Sequence, residues 1–306
     1  MPARPRLAAP AALLALAVLA APARAQVAAP LEAGGVADLT GPRALGLSAA
    51  TGIVSGNDGI FVNPGALAAR KRYSVETLFA VDRRGGTTVG KYGGASIVDG
   101  LSAPVTTSLA WVRPLEGAQG GDLFVGGLAG PLAERLYFGA QARYYSLRDE
   151  VAPGVVEHVN AVTADAGLFW ELSDYVALGV SGFNLVPSGH ERVAPRSAGA
   201  GLALGSDTSV KLSLDWRADF DRRRDASGKA RTSNRYAIGL ETMLGQTVPL
   251  RAGFMEDETL GTSWWSAGVG LVTRSGAAVD LGYRQSLKTP DARVIAVSFK
   301  LMFLEM

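Results

Sequence analysis

The chain has 306 residues, no cysteine, 38 glycines, and 30 basic against 28 acidic side chains, so disulfide staples and thiolate metal sites are excluded. The formal charge is +2; a leader carrying Arg4, Arg6 and Arg24 would take three positive charges with it and leave −1, which gives nucleic-acid binding no electrostatic support. Beyond the extreme N-terminus no apolar run reaches the about 18 residues of a spanning helix.

Residues 1–25 read as a secretory signal peptide. Arg4 and Arg6 precede an Ala/Leu core from Leu7 to Ala21, and Ala23-Arg24-Ala25 offers a cleavage site before Gln26. The core is shorter than the about 20 residues a membrane span needs, and no cysteine follows the site to take a lipid anchor.

Residues 26–72 show no alternation. They are rich in Gly and small side chains, through Gly41-Pro42-Arg43-Ala44-Leu45-Gly46-Leu47-Ser48 and on through Asn57-Asp58-Gly59-Ile60-Phe61-Val62-Asn63-Pro64-Gly65. Such a stretch can lay its backbone close to a wall. Pro64 fixes its own φ and pushes Asn63 out of the helical region, so the chain must turn there. Asn57, Asp58 and Gly59 read as a tight turn, since the alternating acidic ligands of a calcium loop are missing.

From Tyr73 to the C-terminus one pattern repeats, about ten residues of apolar/polar alternation followed by turn residues, as half-buried strands require. In 210–220, Val210, Leu212, Leu214, Trp216, Ala218 and Phe220 share one face, while Lys211, Ser213, Asp215, Arg217 and Asp219 share the other. Strands are expected at 73–82, 87–98, 105–113, 122–130, 136–147, 159–171, 175–185, 196–204, 208–220, 233–243, 248–256, 263–273, 277–285 and 293–304. That is fourteen, an even number, as bacterial barrels have. Minimal connections such as 172–174, 205–207 and 274–276 alternate with polar loops such as 148–158, 186–195, 221–232 and 286–292, the short-turn, long-loop order of an outer-membrane barrel. A soluble β-sandwich would also alternate, but has no reason to obey that rule.

Trp111, Trp170, Trp216, Trp264 and Trp265 fall near expected strand ends, where membrane interfaces favour them. Gly139, Gly167, Gly239, Gly253, Gly268, Gly270 and Gly282 fall on the polar sets, so either the wall bends there or something else fills the space. The same sets carry Arg143, Asp165, Lys211, Asp215, Arg217, Arg251, Asp280 and Arg284. Mixed charge in a confined interior reads as ion pairing that ties the wall to its contents, which favours a closed or gated barrel over an open pore. The sequence therefore predicts an all-β fold: a closed antiparallel transmembrane barrel of about fourteen strands at 73–306, with an N-terminal hatch at 26–72 in its lumen.

No cofactor or metal site is expected. The two histidines, His158 and His190, lie in expected external loops without a cysteine or acidic cluster at metal spacing. Ser188, His190 and Glu191 are close in sequence, but a catalytic triad is defined by geometry, so no enzyme is expected.

Gly41, Arg43, Ala44, Leu45 and Gly46, followed by Asp58, Phe61, Asn63, Pro64, Gly65, Ala66 and Leu67, resemble the hatch of the long-chain fatty-acid transporter superfamily. The likeness is greatest to its compact branch, typified by the outer-membrane shuttle barrel of type IX secretion. Gly65 stands where that pattern has Ala, and Ser48-Ala49 where it has a Gly pair. Leu178-Gly179-Val180 with Asn184-Leu185, and Leu250-Arg251-Ala252-Gly253-Phe254, resemble barrel strands of the same superfamily. The resemblance implies a Gram-negative outer-membrane location, lipid contact, and gated passive uptake of hydrophobic small molecules. It equally implies the alternative of a non-transporting barrel that serves a secretion or envelope-assembly protein as platform or shuttle, which the short charged loops, such as 221–225, favour.

Overall fold

The computed structural model describes residues 35–48, 56–152, 154–206, 208–224 and 227–304. The expected signal peptide, the start of the expected hatch and residues 49–55 lie outside them. Fourteen strands follow in chain order: β1 (Arg72–Arg84), β2 (Thr87–Asp99), β3 (Thr106–Gly117), β4 (Gln119–Ala133), β5 (Leu136–Ala152), β6 (Val155–Ser173) and β7 (Val176–Phe183). They continue as β8 (Ser197–Gly205), β9 (Val210–Arg224), β10 (Ala230–Leu244), β11 (Val248–Asp257), β12 (Thr262–Val272), β13 (Ala277–Ser286) and β14 (Arg293–Leu304).

Each strand pairs antiparallel with its neighbours in sequence, and β1 pairs with β14 from Arg72 opposite Leu304 to Arg83 opposite Arg293, closing the sheet. Closure leaves no edge, so every strand's backbone groups find partners within the wall, the condition for crossing hydrocarbon. The β1–β2 connection shows how the sequence forces a hairpin. Gly85 and Gly86 both have positive φ, +56° and +76°, as a two-residue type I′ turn demands.

Alternation sorts the side chains as expected. Leu214 is 43% exposed on the outside while its neighbour Ser213 is fully buried inside. Phe79, Leu109, Leu128, Val162, Leu240, Val279 and Phe299 join Leu214 in an exposed apolar surface around the wall. A soluble monomer rarely exposes an apolar patch beyond a few hundred Å², so this surface belongs in lipid. Trp216 and Trp265 stand on it; Trp264 does not, contrary to the interfacial placement expected for it. Strand parity turns Trp264 into the lumen, where it is fully buried under the Arg284 guanidinium, 5.1 Å from the ring centroid.

Chain termini of the barrel meet at one rim, called here the near rim, and the other is the far rim. Two expected far-rim loops are strand instead. Residues 148–152 extend β5, 155–158 begin β6, 221–224 extend β9 and 230–232 begin β10. Antiparallel pairing is a backbone property, so the hairpins continue beyond the apolar surface. β5 and β6 have 17 and 19 residues, where a span needs about 9–11. The short-long order of connections is also less regular than expected. The far rim holds the two-residue turn 85–86 as well as the long loop 184–196, and the near rim holds the six residues 100–105.

Candidate functional site

The lumen is occupied by the chain's own N-terminal part. A 3-10 turn at Val36–Asp38 leads to α1 (Pro42–Gly46); α2 (Gly59–Val62) and a 3-10 helix at Pro64–Ala69 then deliver the chain into β1. Pro42 and Pro64 each open their helix, the position at which a missing N–H costs nothing. Asn63 caps the second 3-10 helix: its Oδ1 accepts from Gly65 N at 3.0 Å while its Nδ2 donates to the Leu168 carbonyl at 2.9 Å. One side chain thus ends one turn and pins it to β6.

The glycines on the polar sets are explained by what lies against them. A Cβ on Gly139 would clash with the Pro64 carbonyl, and one on Gly282 with the Pro42 carbonyl. Gly46 meets Gly268 so closely that a Cβ on Gly46 would stand 3.0 Å from the Gly268 Cα, and a Cβ on Gly65 would stand 2.7 Å from the Gly167 carbonyl oxygen. Wall and segment are packed backbone to backbone, which side chains on either would prevent. Ser48 sits in the left-handed region at φ 59°, a conformation that favours glycine; its Oγ is hydrogen-bonded to Ser266 Oγ at 2.8 Å.

Charge fixes the segment as well. Arg43 pairs with Glu241 on β10 at 2.6 Å, and Arg251 on β11 joins Glu241, 2.6 Å, to Asp280 on β13, 2.5 Å. Asp38 is held by Arg222 at 2.6 Å and Arg235 at 2.9 Å. Opposite, Arg143 pairs with Asp165, and Gln141 donates to the Ile60 carbonyl at 2.7 Å. Asn57 reaches Ser96 Oγ at 2.8 Å and accepts from Ser74 at 2.7 Å. The Asp58 carboxyl presses on Gly41 at the start of α1, and Phe61 packs into the apolar interior. Arg217 donates to Ser197 at 2.9 Å and lies over the Phe183 ring. Lys211 and Asp215 share the lumenal face of β9 with Ser213.

All sixteen residues singled out from the sequence are therefore in the lumen, eight on the segment and eight on the wall. The ionic groups also take in Asp219, Arg235 and Glu241, which fall on the same alternating polar sets, and Asp38, Arg222 and Asp257, which the sequence pattern does not single out. Asp38 had a legible signal: an acid in a small-residue stretch expected to be buried needs cations facing it. Arg222 had none, since 221–232 reads as an outer loop. Ser188 and His190 are not joined side chain to side chain; Ser188 Oγ accepts from the His190 main chain at 3.1 Å, and the imidazole contacts Glu157 at 2.9 Å.

One side of the far half of the interior, from β3 to β6, is apolar, while the opposite side carries the Asp38 ion pairs. Val112, Leu123, Val125, Tyr145, Leu147 and Val159, from β3 to β6, face inward in the far half and are buried, with Val193 and Ala194 of the 184–196 loop in the same cluster. One cavity of about 30 Å³ lies between Asp38, Tyr92, Arg235 and Arg284, and one of about 10 Å³ between Asp58, Phe61 and Glu76, room for a water or so each.

No protein-family model matches the chain, and no curated protein does. Solved structures do. The toluene transporter TodX of P. putida superposes with a TM-score of 0.61 at 12% identity, over 87% of this chain and 99% of that one. The toluene transporter TbuX of Ralstonia pickettii gives 0.60 at 14%, over 86% and 98%. A FadL homologue of Pseudomonas aeruginosa gives 0.59 at 14%, over 86% and 97%. At these identities what is shared is the fold, the closed 14-strand barrel of FadL-type outer-membrane proteins.

Proposed function

We propose that this barrel takes up hydrophobic small molecules passively across the outer membrane, with the lumenal segment as its gate. The observation that carries the reading is the apolar β3–β6 side of the far half, Val112, Leu123, Val125, Leu147 and Val159. A pore for polar solutes would keep water-facing polar groups there, whereas apolar side chains favour an apolar guest by burying its surface. The fold shared with two proteins described as toluene transporters supports the same reading. The near rim then faces the periplasm. Uptake proceeds by entry under the 184–196 loop, residence against the apolar wall, and release when the segment shifts.

The small cavities favour a second reading, a permanently plugged barrel that serves a secretion or envelope protein as a platform. The two readings separate in one experiment on the full mature chain. In detergent it is titrated with a fluorescent fatty acid and with toluene as competitor, and in planar bilayers its current is recorded. Uptake expects saturable, competable binding and near silence. Silence without binding leaves the platform, and a large steady current overturns both.

A further inference from the structure

Arg83 on β1 and Arg293 on β14 stand directly opposite each other across the seam that closes the barrel. Strand parity turns both outward, with Phe79, Val81, Ile295 and Val297 one and two steps down the same face. Those four belong to the apolar surface; the two arginines are the next outward pair toward the far rim. Like charges opposite each other in a sheet repel, so such a pair needs an anion.

No carboxylate within the wall supplies it. Among the described residues neither arginine has an ion-pair partner within 4.0 Å. Arg83 Nη2 donates to the Gly86 carbonyl at 2.9 Å, while the Nε atoms of both arginines are shielded from solvent without a hydrogen-bond partner. The neighbouring outward bases differ. Lys91 on β2 is paired with Glu116, and Arg113 on β3 with Asp122 at 2.8 Å, where Trp111 Nε1 also donates at 2.7 Å. On the other flank Gln285 stands opposite Arg293 on β13 and accepts from the Tyr283 hydroxyl at 2.8 Å. The carboxylate supplied for the bases of β2 and β3 is missing at the β1–β14 seam alone of these positions.

We infer that Arg83 and Arg293 form a binding site for the phosphate of an anionic membrane lipid, with its acyl chains lying on Phe79, Val81, Ile295 and Val297. Two guanidinium forks side by side suit a phosphate's several oxygens, and their height above the apolar surface is that of a headgroup. The assignment is independent of what passes through the lumen. In an outer membrane oriented with the chain termini inward, the far rim lies in the outer leaflet, so the lipid is a phosphorylated outer-leaflet glycolipid.

The test uses the full chain refolded in detergent, native mass spectrometry, and bisphosphorylated lipid A as probe, with its dephosphorylated form as control. The wild type should retain the bisphosphorylated lipid about tenfold better than Arg83→Gln/Arg293→Gln, in line with charge-assisted hydrogen bonds. Arg83→Lys/Arg293→Lys should retain part of it, Arg113→Gln should change nothing, and the dephosphorylated lipid should not distinguish the variants. Heat-modifiable migration reports whether each variant is folded, and the Lys pair carries the comparison if the Gln pair is not. Equal retention by wild type and folded variants, equal retention of the two lipids, or displacement by inorganic phosphate at equal concentration would overturn the assignment.

Discussion

Arg43 of the lumenal segment and Glu241 of the barrel wall, 198 positions apart in sequence, are joined by two hydrogen bonds of 2.6 and 3.0 Å. Glu241 is shared with Arg251, which also reaches Asp280, so segment and wall meet in one ionic group. Removing one member of a buried pair costs about 3–5 kcal/mol because it strands the other. Arg43→Met leaves Glu241 with Arg251 and should loosen the segment modestly. Glu241→Gln deprives two guanidinium groups and should loosen it more. Planar-bilayer recordings should show current rising from wild type through Arg43→Met to Glu241→Gln, with barrel migration on gels unchanged. The reverse order would mean that this group does not hold the segment.

Gly139 has the Pro64 carbonyl against it, whereas Gly126 on the outside of β4 would give a Cβ only an ordinary 3.4 Å contact with Leu109. Gly139→Ala forces two backbones apart at a cost of about 1–3 kcal/mol and should raise current and protease access to the segment. Gly126→Ala should be silent in both measurements.

Leu214 lies mid-strand in the apolar surface, where an arginine costs about 2–4 kcal/mol. Leu214→Arg should lower the fraction of chain that inserts into lipid vesicles, read by heat-modifiable migration, and Leu214→Met should not. Full insertion of Leu214→Arg would place this face away from lipid.

The barrel was legible because its period is two and its membrane permits no compromise on the lipid side. All fourteen strands fall where Tyr73 to Leu304 predict them, and 136–147, 159–171, 208–220 and 233–243 stop short of the observed strands because charged stretches such as Arg148-Asp149-Glu150 and Asp221-Arg222-Arg223 look like loop. What was not legible is which inward faces are apolar. Leu123-Phe124-Val125 and Tyr144-Tyr145 offer apolar side chains to both faces, so alternation carries no information there, and the apolar β3–β6 side of the far half appears only once the lumen is seen to be filled. The segment's position was written in glycines such as Gly139, Gly167 and Gly282, but their partners Pro64, Asn63 and Pro42 are 75 or more residues away and no local pattern pairs them.

Asp58 supplies a pH dependence. It belongs to the lumenal segment, is 2% exposed, and its Oδ2 has no hydrogen-bond partner among the described residues. Burial, reinforced by Glu76 on β1 and Asp280 on β13 and opposed by Lys300 on β14 and Arg43 on α1, pushes its carboxyl up to about 7. A released segment would return the carboxyl to about 3.9. The docked form therefore holds its proton more tightly than the free form. Docking is strongest below about pH 4, weakens as pH rises through about 7, and is level above that, a change of at most about 4 kcal/mol. The wild type should accordingly show more frequent conducting events at about pH 8 than at about pH 5. Asp58→Asn keeps the shape and stays neutral, so its current should be low and flat across that range. If Asp58→Asn retained the wild-type rise, the pH dependence would come from another group, and if the wild type itself were flat, Asp58 would be ionised or protonated alike in both positions of the segment.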